Sequence, residues 1–148
     1  MDHISLEPLG KAISQLENGL EEYEKNKTND LLRDGVIQRF EYTYETSWKI
    51  LKRFLEAMSP SPDTIDQMGF PTLIRTAWES GLLKSGWKAW NKFRDSRNKT
   101  SHTYDEKIAK EVYSRIPKFL EEVKHLYAQL SARINNHVTT DQERIIDN

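Results

Sequence analysis

Residues Val36 to Met58 read VIQRFEYTYETSWKILKRFLEAM, and large apolar side chains stand at Val36, Ile37, Phe40, Tyr44, Trp48, Leu51, Leu55 and Met58. Steps of three and four residues stack side chains along one face of a helix, since each residue turns about 100°. The pattern predicts an amphipathic helix from Asp30 to Met58, with its stripe turned to a core. Gly35 is a mild weakness in it and not a stop. Glu41 and Glu45, one turn apart beside the stripe, read as a solvated face.

The flanking segments repeat the same grammar. Leu6, Leu9, Ile13, Leu16, Leu20 and Tyr23 predict a first helix from about Ser5 to Lys25, with Ser5 as N-cap and Pro8 tolerated in the first turn. The polar Asn26 to Asp30 segment reads as a turn. After Met58, Ser59-Pro60-Ser61-Pro62-Asp63 stops the helix, and an irregular linker is expected to Gly69 and Pro71. Thr72 to Ser80 predicts a short helix, with Gly81 past its end as a C-terminal cap. Another helix starts near Ser85 or Gly86.

Asp105 reads as the N-cap of the last helix, whose stripe is Ile108, Val112, Ile116, Phe119, Val123, Leu126 and Leu130. Pro117 is expected to bend or interrupt it around Tyr113 to Ile116. Beyond Asn135 the chain is polar, so residues 1–135 read as one bundle and 136–148 as a loosely held tail, despite Ile145 and Ile146. Alternation of strand type is absent. The fold class is therefore all-α, an antiparallel up-and-down bundle of four main helices plus a short one.

Composition narrows function mainly by exclusion. The 148 residues carry 22 Lys and Arg against 23 Asp and Glu, so net charge alone points to no class of partner. Between Lys84 and Lys99, however, six residues are basic and one is acidic, a local patch compatible with RNA contact. The absence of cysteine removes disulfides, thiol nucleophiles and zinc–cysteine sites. The start lacks the basic and apolar pattern of a signal peptide, and no run approaches the roughly 20 apolar residues of a membrane span. A cytoplasmic location is expected. Phosphate-cradling glycine loops are absent, as are the Gly-Ser and Asp-x-Asp elements of a nucleotidyltransferase, so this chain is not expected to transfer nucleotides itself.

Chemistry is expected between Trp87 and Asp105, WKAWNKFRDSRNKTSHTYD. On a helix, Trp87, Trp90, Arg94 and Arg97 share one side and Lys88, Lys92 and Lys99 the other. A guanidinium on the aromatic side needs an anionic or polar partner. His102 lies five residues beyond Arg97, about 140° away on a continuous helix. The hydroxyls of Thr100 and Ser101 compete for helical hydrogen bonds. A helix ending between Lys99 and Ser101 would bring His102 back beside Arg97. Such a cation and imidazole suit phosphodiester chemistry, with no metal ligand and no cofactor required. An arginine near a helix C-terminus followed by a loop histidine is also ordinary dipole chemistry. Trp87, Trp90 and Phe93 read as core or interface packing more than as base-stacking platforms, and Tyr44 and Trp48 as core.

Arg97-Asn98, then His102 and Tyr104, resembles the Arg-x4-His-x-Tyr signature of the HEPN superfamily. The longer string RDSRNKTSHTYD from Arg94 to Asp105 resembles its bacterial subgroup paired with a minimal nucleotidyltransferase. The resemblance implies a homodimer with a composite site and a metal-independent endoribonuclease within a toxin–antitoxin module. In that picture His102 is the general base, Arg97 the transition-state cation, Asn98 an orienting residue and the nucleotidyltransferase a partner. Arg94 reads as a structural arginine or a phosphate ligand. Two readings of Tyr104 stand: packing over the first turn of the next helix, or accepting AMP from the partner. The alternative that the resemblance also implies is a non-catalytic subunit that binds an RNA or nucleotide substrate for the nucleotidyltransferase.

Overall fold

The computed structural model describes residues 4–147, with side chains described for 4–136. Its elements are α1 (Glu7–Lys25), α2 (Asp30–Met58), α3 (Pro62–Asp66), α4 (Phe70–Glu79), α5 (Trp87–Asn98), a 3-10 turn (Thr100–His102) and α6 (Glu106–Asp147). Among the described residues there is no strand.

The direction of each long helix follows from the residues that meet across it. On α1 and α2, the Thr43 hydroxyl donates to the Ala12 carbonyl at 3.3 Å, and Gly19 lies against Val36 and Arg39. On α1 and α6, Tyr23 meets Tyr113 edge-on at 4.9 Å, while Glu17 pairs with Lys124. On α5 and α6, Lys99 bonds Glu111 and Trp90 bonds Glu122. In every case rising numbers meet falling numbers, so each pair is antiparallel. Helices α2 and α6 therefore run the same way, and Phe40 packs on Phe119 between them at 5.0 Å. This is the predicted up-and-down bundle of four long helices.

The core sits where these stripes converge. Phe40, Trp90 and Phe119 are fully buried, and Phe119 lies edge-on to both Trp90 and Phe93. Each large ring removed from water contributes about 1.5–3 kcal/mol. Edge-to-face geometry adds about 0.5–1.5 kcal/mol per pair.

Several local expectations are corrected. The linker after Met58 contains the short helix α3, whose Ile65 is buried; a first-turn proline supplies the helical φ, and an apolar contact fixes it. Helix α4 begins at Phe70 and not at Thr72, because Pro71 fits its first turn. Among the described residues there are thus two short helices beside the four long ones. Leu6, not Ser5, occupies the N-cap of α1; Ser5 instead accepts the Glu7 amide at 3.3 Å. Pro117 does not interrupt α6. Its missing N–H removes one helical bond, and the fully buried Ile116 and Phe119 on either side hold the helix to the core. The stretch read as a tail continues α6 to Asp147; the side chains there, Ile145 and Ile146 included, lie outside the described residues, as does how firmly it is held.

Other boundaries follow the expected chemistry. Asn29 caps α2 by accepting the Leu32 amide at 3.2 Å. Asp105 caps α6, its Oδ1 accepting from Lys107 at 2.9 Å and Ile108 at 3.3 Å. Gly81, with φ +82°, ends α4 in the left-handed region that favours glycine.

Candidate functional site

Helix α5 is anchored at its beginning by a buried carboxylate. Glu122 of α6 accepts the Trp90 indole N–H at 3.2 Å and the Ser85 amide at 3.0 Å. Buried Trp90, Phe93 and Ser96 hold the inward face. The aromatics thus serve the core, as expected, while Trp87 stays half-buried. At the far end, the Lys99 amide bonds the Ser96 carbonyl at 3.1 Å and the Thr100 hydroxyl donates to the Arg97 carbonyl at 2.9 Å. A second hydroxyl, on Thr103, donates to the Thr100 carbonyl at 3.1 Å. These side-chain bonds replace helical ones and close the chain into the 3-10 turn that carries His102.

Arg97 leans onto α2. Its Nε donates to Glu45 Oε1 at 3.1 Å, and its Nη2 lies 3.4 Å from Glu41 Oε1. Among the described residues Nη1 has only a long contact, 3.5 Å, with the Thr100 hydroxyl. Glu41 and Glu45 are therefore no solvated face, which corrects the sequence reading. Their i, i+4 spacing announces two carboxylates on one face of α2; that α5 delivers a guanidinium to them is a tertiary fact. The Trp48 indole N–H donates to Glu45 Oε2 at 3.3 Å, tying the same carboxylate to its own helix.

His102 is exposed on its turn. Its amide bonds the Lys99 carbonyl at 3.0 Å, and its carbonyl accepts the Asp105 amide at 3.1 Å. Its ring lies 6.3 Å from that of Tyr104, edge-on. Among the described residues no hydrogen bond joins His102 to Arg97; the guanidinium goes to α2 and the imidazole to solvent. Tyr104 is 87% exposed, so it does not pack over the first turn of α6, and that reading is withdrawn. Asn98 is exposed at the end of α5. Arg94 is exposed as well, its guanidinium 5.3 Å from the centre of the Phe70 ring.

A cleft of about 310 Å³ opens between α2, α4 and α5, with Tyr44, Trp48, Phe70, Arg94, Arg97 and Asn98 among its walls. Trp48 was expected in the core; it is half-buried and faces this cleft. Tyr44 is deeply buried, and burial pushes its phenol well above the usual tyrosine range, so it stays a hydrogen-bond donor. No grouping of three His, Cys, Asp or Glu side chains able to hold a metal ion occurs among the described residues.

The junction after the turn is braced separately. Arg33 of α2, itself buried, bonds Glu106 Oε1 at 2.7 Å and lies near Asp30 and Asp34. The Arg33 hydrogen bond lowers the Glu106 carboxyl below its ordinary range. Sequence inspection passed over Arg33, because a buried arginine on a helix leaves no periodic signal.

The chain belongs to the nucleotidyltransferase substrate binding protein-like family, whose pattern matches residues 4–132. This is the bacterial HEPN subgroup that the Arg97 to Tyr104 motif resembles. A relative from Haemophilus influenzae, named as a probable ribonuclease HepT, is 43% identical over 104 residues, 70% of each chain. A solved Haemophilus influenzae structure, described as revealing the fold of a substrate binding domain of a nucleotidyltransferase, superposes with a TM-score of 0.81 at 36% identity. That match covers 86% of this chain and 99% of the other. A solved Thermus thermophilus protein matches with a TM-score of 0.66 at 29% identity, over 82% of this chain and 98% of its own. Among the described residues no helix is long and apolar enough to cross a membrane.

Proposed function

We propose that this chain is the HEPN component of a two-gene module with a minimal nucleotidyltransferase, and that as a cytoplasmic homodimer it cleaves RNA without a metal ion. The observation that carries the reading is a helix end with a clamped guanidinium, followed at once by a short turn with an exposed imidazole. RNA brings its own nucleophile. A neutral His102 takes the proton of a 2′-hydroxyl, the oxygen attacks the adjacent phosphorus, and the 5′-oxygen leaves as a hydroxyl, taking up the proton that the imidazolium gives back. Arg97 stabilises the added negative charge of the phosphorane through Nη1, the edge least occupied by Glu41 and Glu45. The two carboxylates fix the guanidinium in one place, so little reorganisation is needed as charge develops. Asn98, next to Arg97 and on the cleft wall, orients the phosphate. The products are a 2′,3′-cyclic phosphate and a 5′-hydroxyl end. A second protomer brings another Arg97 and His102 to a shared groove, which offsets the separation of the two side chains within one chain.

Tyr104 is the acceptor for AMP from the partner in this reading. Its exposure leaves the phenol open to another active site, and an adenylyl group there would stand beside His102 and block the turn.

A second reading is favoured by the carboxylates themselves. Held in place by Glu41 and Glu45, Arg97 can fix a nucleotide for the nucleotidyltransferase through Nη1 without breaking any bond. Incubating RNA with wild type and His102→Ala in EDTA separates the two. Cleavage lost in the variant, with cyclic phosphate ends in the wild type, supports the nuclease. No cleavage, or equal cleavage by both proteins, rules it out.

A further inference from the structure

The cleft beside Arg97 has a floor, walls and a rim of different chemistry. At the floor Tyr44 is 4% exposed, lines the cleft, and among the described residues its hydroxyl makes no hydrogen bond. A phenol so placed is best satisfied by a ligand that offers it an acceptor. Trp48 and Phe70 supply flat apolar walls, their rings 6.0 Å apart and nearly perpendicular. Arg94 stands on the rim over Phe70, and among the described residues no carboxylate pairs with it. A volume of about 310 Å³ lies at the small end of small-molecule sites, room for one planar heterocycle and its sugar and too little for a helix or a duplex.

We infer that this cleft holds a single nucleobase, belonging to the nucleotide whose phosphate Arg97 meets. The base lies against Trp48 and Phe70, accepts a hydrogen bond from Tyr44 at its edge, and leaves its phosphate between Arg94 and the Nη1 edge of Arg97. Stacking against aromatic side chains recognises any base by its face, and the phenol adds a preference for an acceptor on the edge. Glu45 turns no free oxygen to the phosphate, since Arg97 holds Oε1 and Trp48 holds Oε2, and Lys49 at 3.9 Å offsets its charge. The inference rests on the proposed function in one respect, that Arg97 is a phosphate ligand. It holds for a nucleotide within an RNA strand and for a free one.

Calorimetric titration of the full chain with adenosine 5′-monophosphate tests it, with ribose 5-phosphate as the control lacking a base. Binding of the nucleotide at least tenfold tighter than of the sugar phosphate is expected. Arg94→Ala and Tyr44→Phe should each weaken it by about 3- to 10-fold, the range of one hydrogen bond. Arg94 is exposed, so that variant carries the test alone if Tyr44→Phe disturbs folding. A trinucleotide of 2′-O-methyl RNA, which has no free 2′-hydroxyl, identifies the source: tighter binding than the mononucleotide assigns the site to a strand, equal binding to a free nucleotide, and both uphold it. No binding of the nucleotide, no dependence on the base, or unchanged affinity in Arg94→Ala overturns it. His102→Ala keeps nucleotide binding in this scheme, so failure of the cleavage chemistry and failure of the base site give different results.

Discussion

Arg97 at the end of α5 donates from Nε to Glu45 near the middle of α2, at 3.1 Å. The bond ties the helix that precedes the histidine turn to the centre of the bundle. Both side chains are about one-third exposed, so the pair contributes modestly, on the order of 0.5–1 kcal/mol after solvent screening. A double-mutant cycle with Glu45→Gln and Arg97→Gln, followed by urea denaturation, should give a coupling of that size. A coupling indistinguishable from zero would mean that the clamp orients the guanidinium without stabilising the fold.

Glu122 behaves differently because it is buried and serves two donors. Glu122→Ala leaves the Trp90 indole and the Ser85 amide without an acceptor, and the loss should reach about 2–4 kcal/mol. Glu122→Gln keeps one acceptor oxygen and should cost less than half as much. Equal losses in the two variants would place the effect in packing.

The bridge from Arg33 to Glu106 predicts a dependence on pH. Its hydrogen bond depresses the Glu106 carboxyl in the folded chain, so the folded state binds that proton less readily than the unfolded state does. The stability it supplies is present above the ordinary carboxylate range, near pH 4.3, and is lost as pH falls through the depressed value. Thermal midpoints measured from pH 6 to pH 3 should therefore fall more steeply for wild type than for Glu106→Gln. Parallel curves would show that this pair has no part in acid sensitivity.

Tyr104→Phe removes one exposed hydroxyl and should leave the thermal midpoint within about 2 °C of wild type. Mass spectrometry after incubation with the partner nucleotidyltransferase and ATP should show a single adenylyl addition on wild type and none on the variant. An adduct retained by Tyr104→Phe would move the acceptor elsewhere.

Phe119→Ala opens the centre of the bundle, where that ring meets Phe40, Trp90 and Phe93. The expected cost is about 3–5 kcal/mol by denaturant titration. A cost below 1 kcal/mol would contradict a core built on that residue.

The long helices were legible because their stripes repeat at three and four residues over many turns. Asp105 and Gly81 were legible as start and stop signals, respectively, because capping is local chemistry. Helix α3 was hidden by Pro60 before it and Pro62 in its first turn, and Pro117 invited a break that neighbouring burial prevented. The motif from Arg97 to Tyr104 could be quoted from the sequence, whereas the partners of its arginine could not.

Sequence alone determined the helical class, the apolar faces and the place in the chain where α5 must give way to a turn, since each depends on neighbours within four residues. Tertiary structure decided which carboxylates hold Arg97, that His102 and Tyr104 look outward, and that Tyr44, Trp48 and Phe70 enclose a cleft beside Arg97. The contributions of α2, α4 and α5 are separated by tens of positions, and only the packing angle and register of helices against one another bring them within reach.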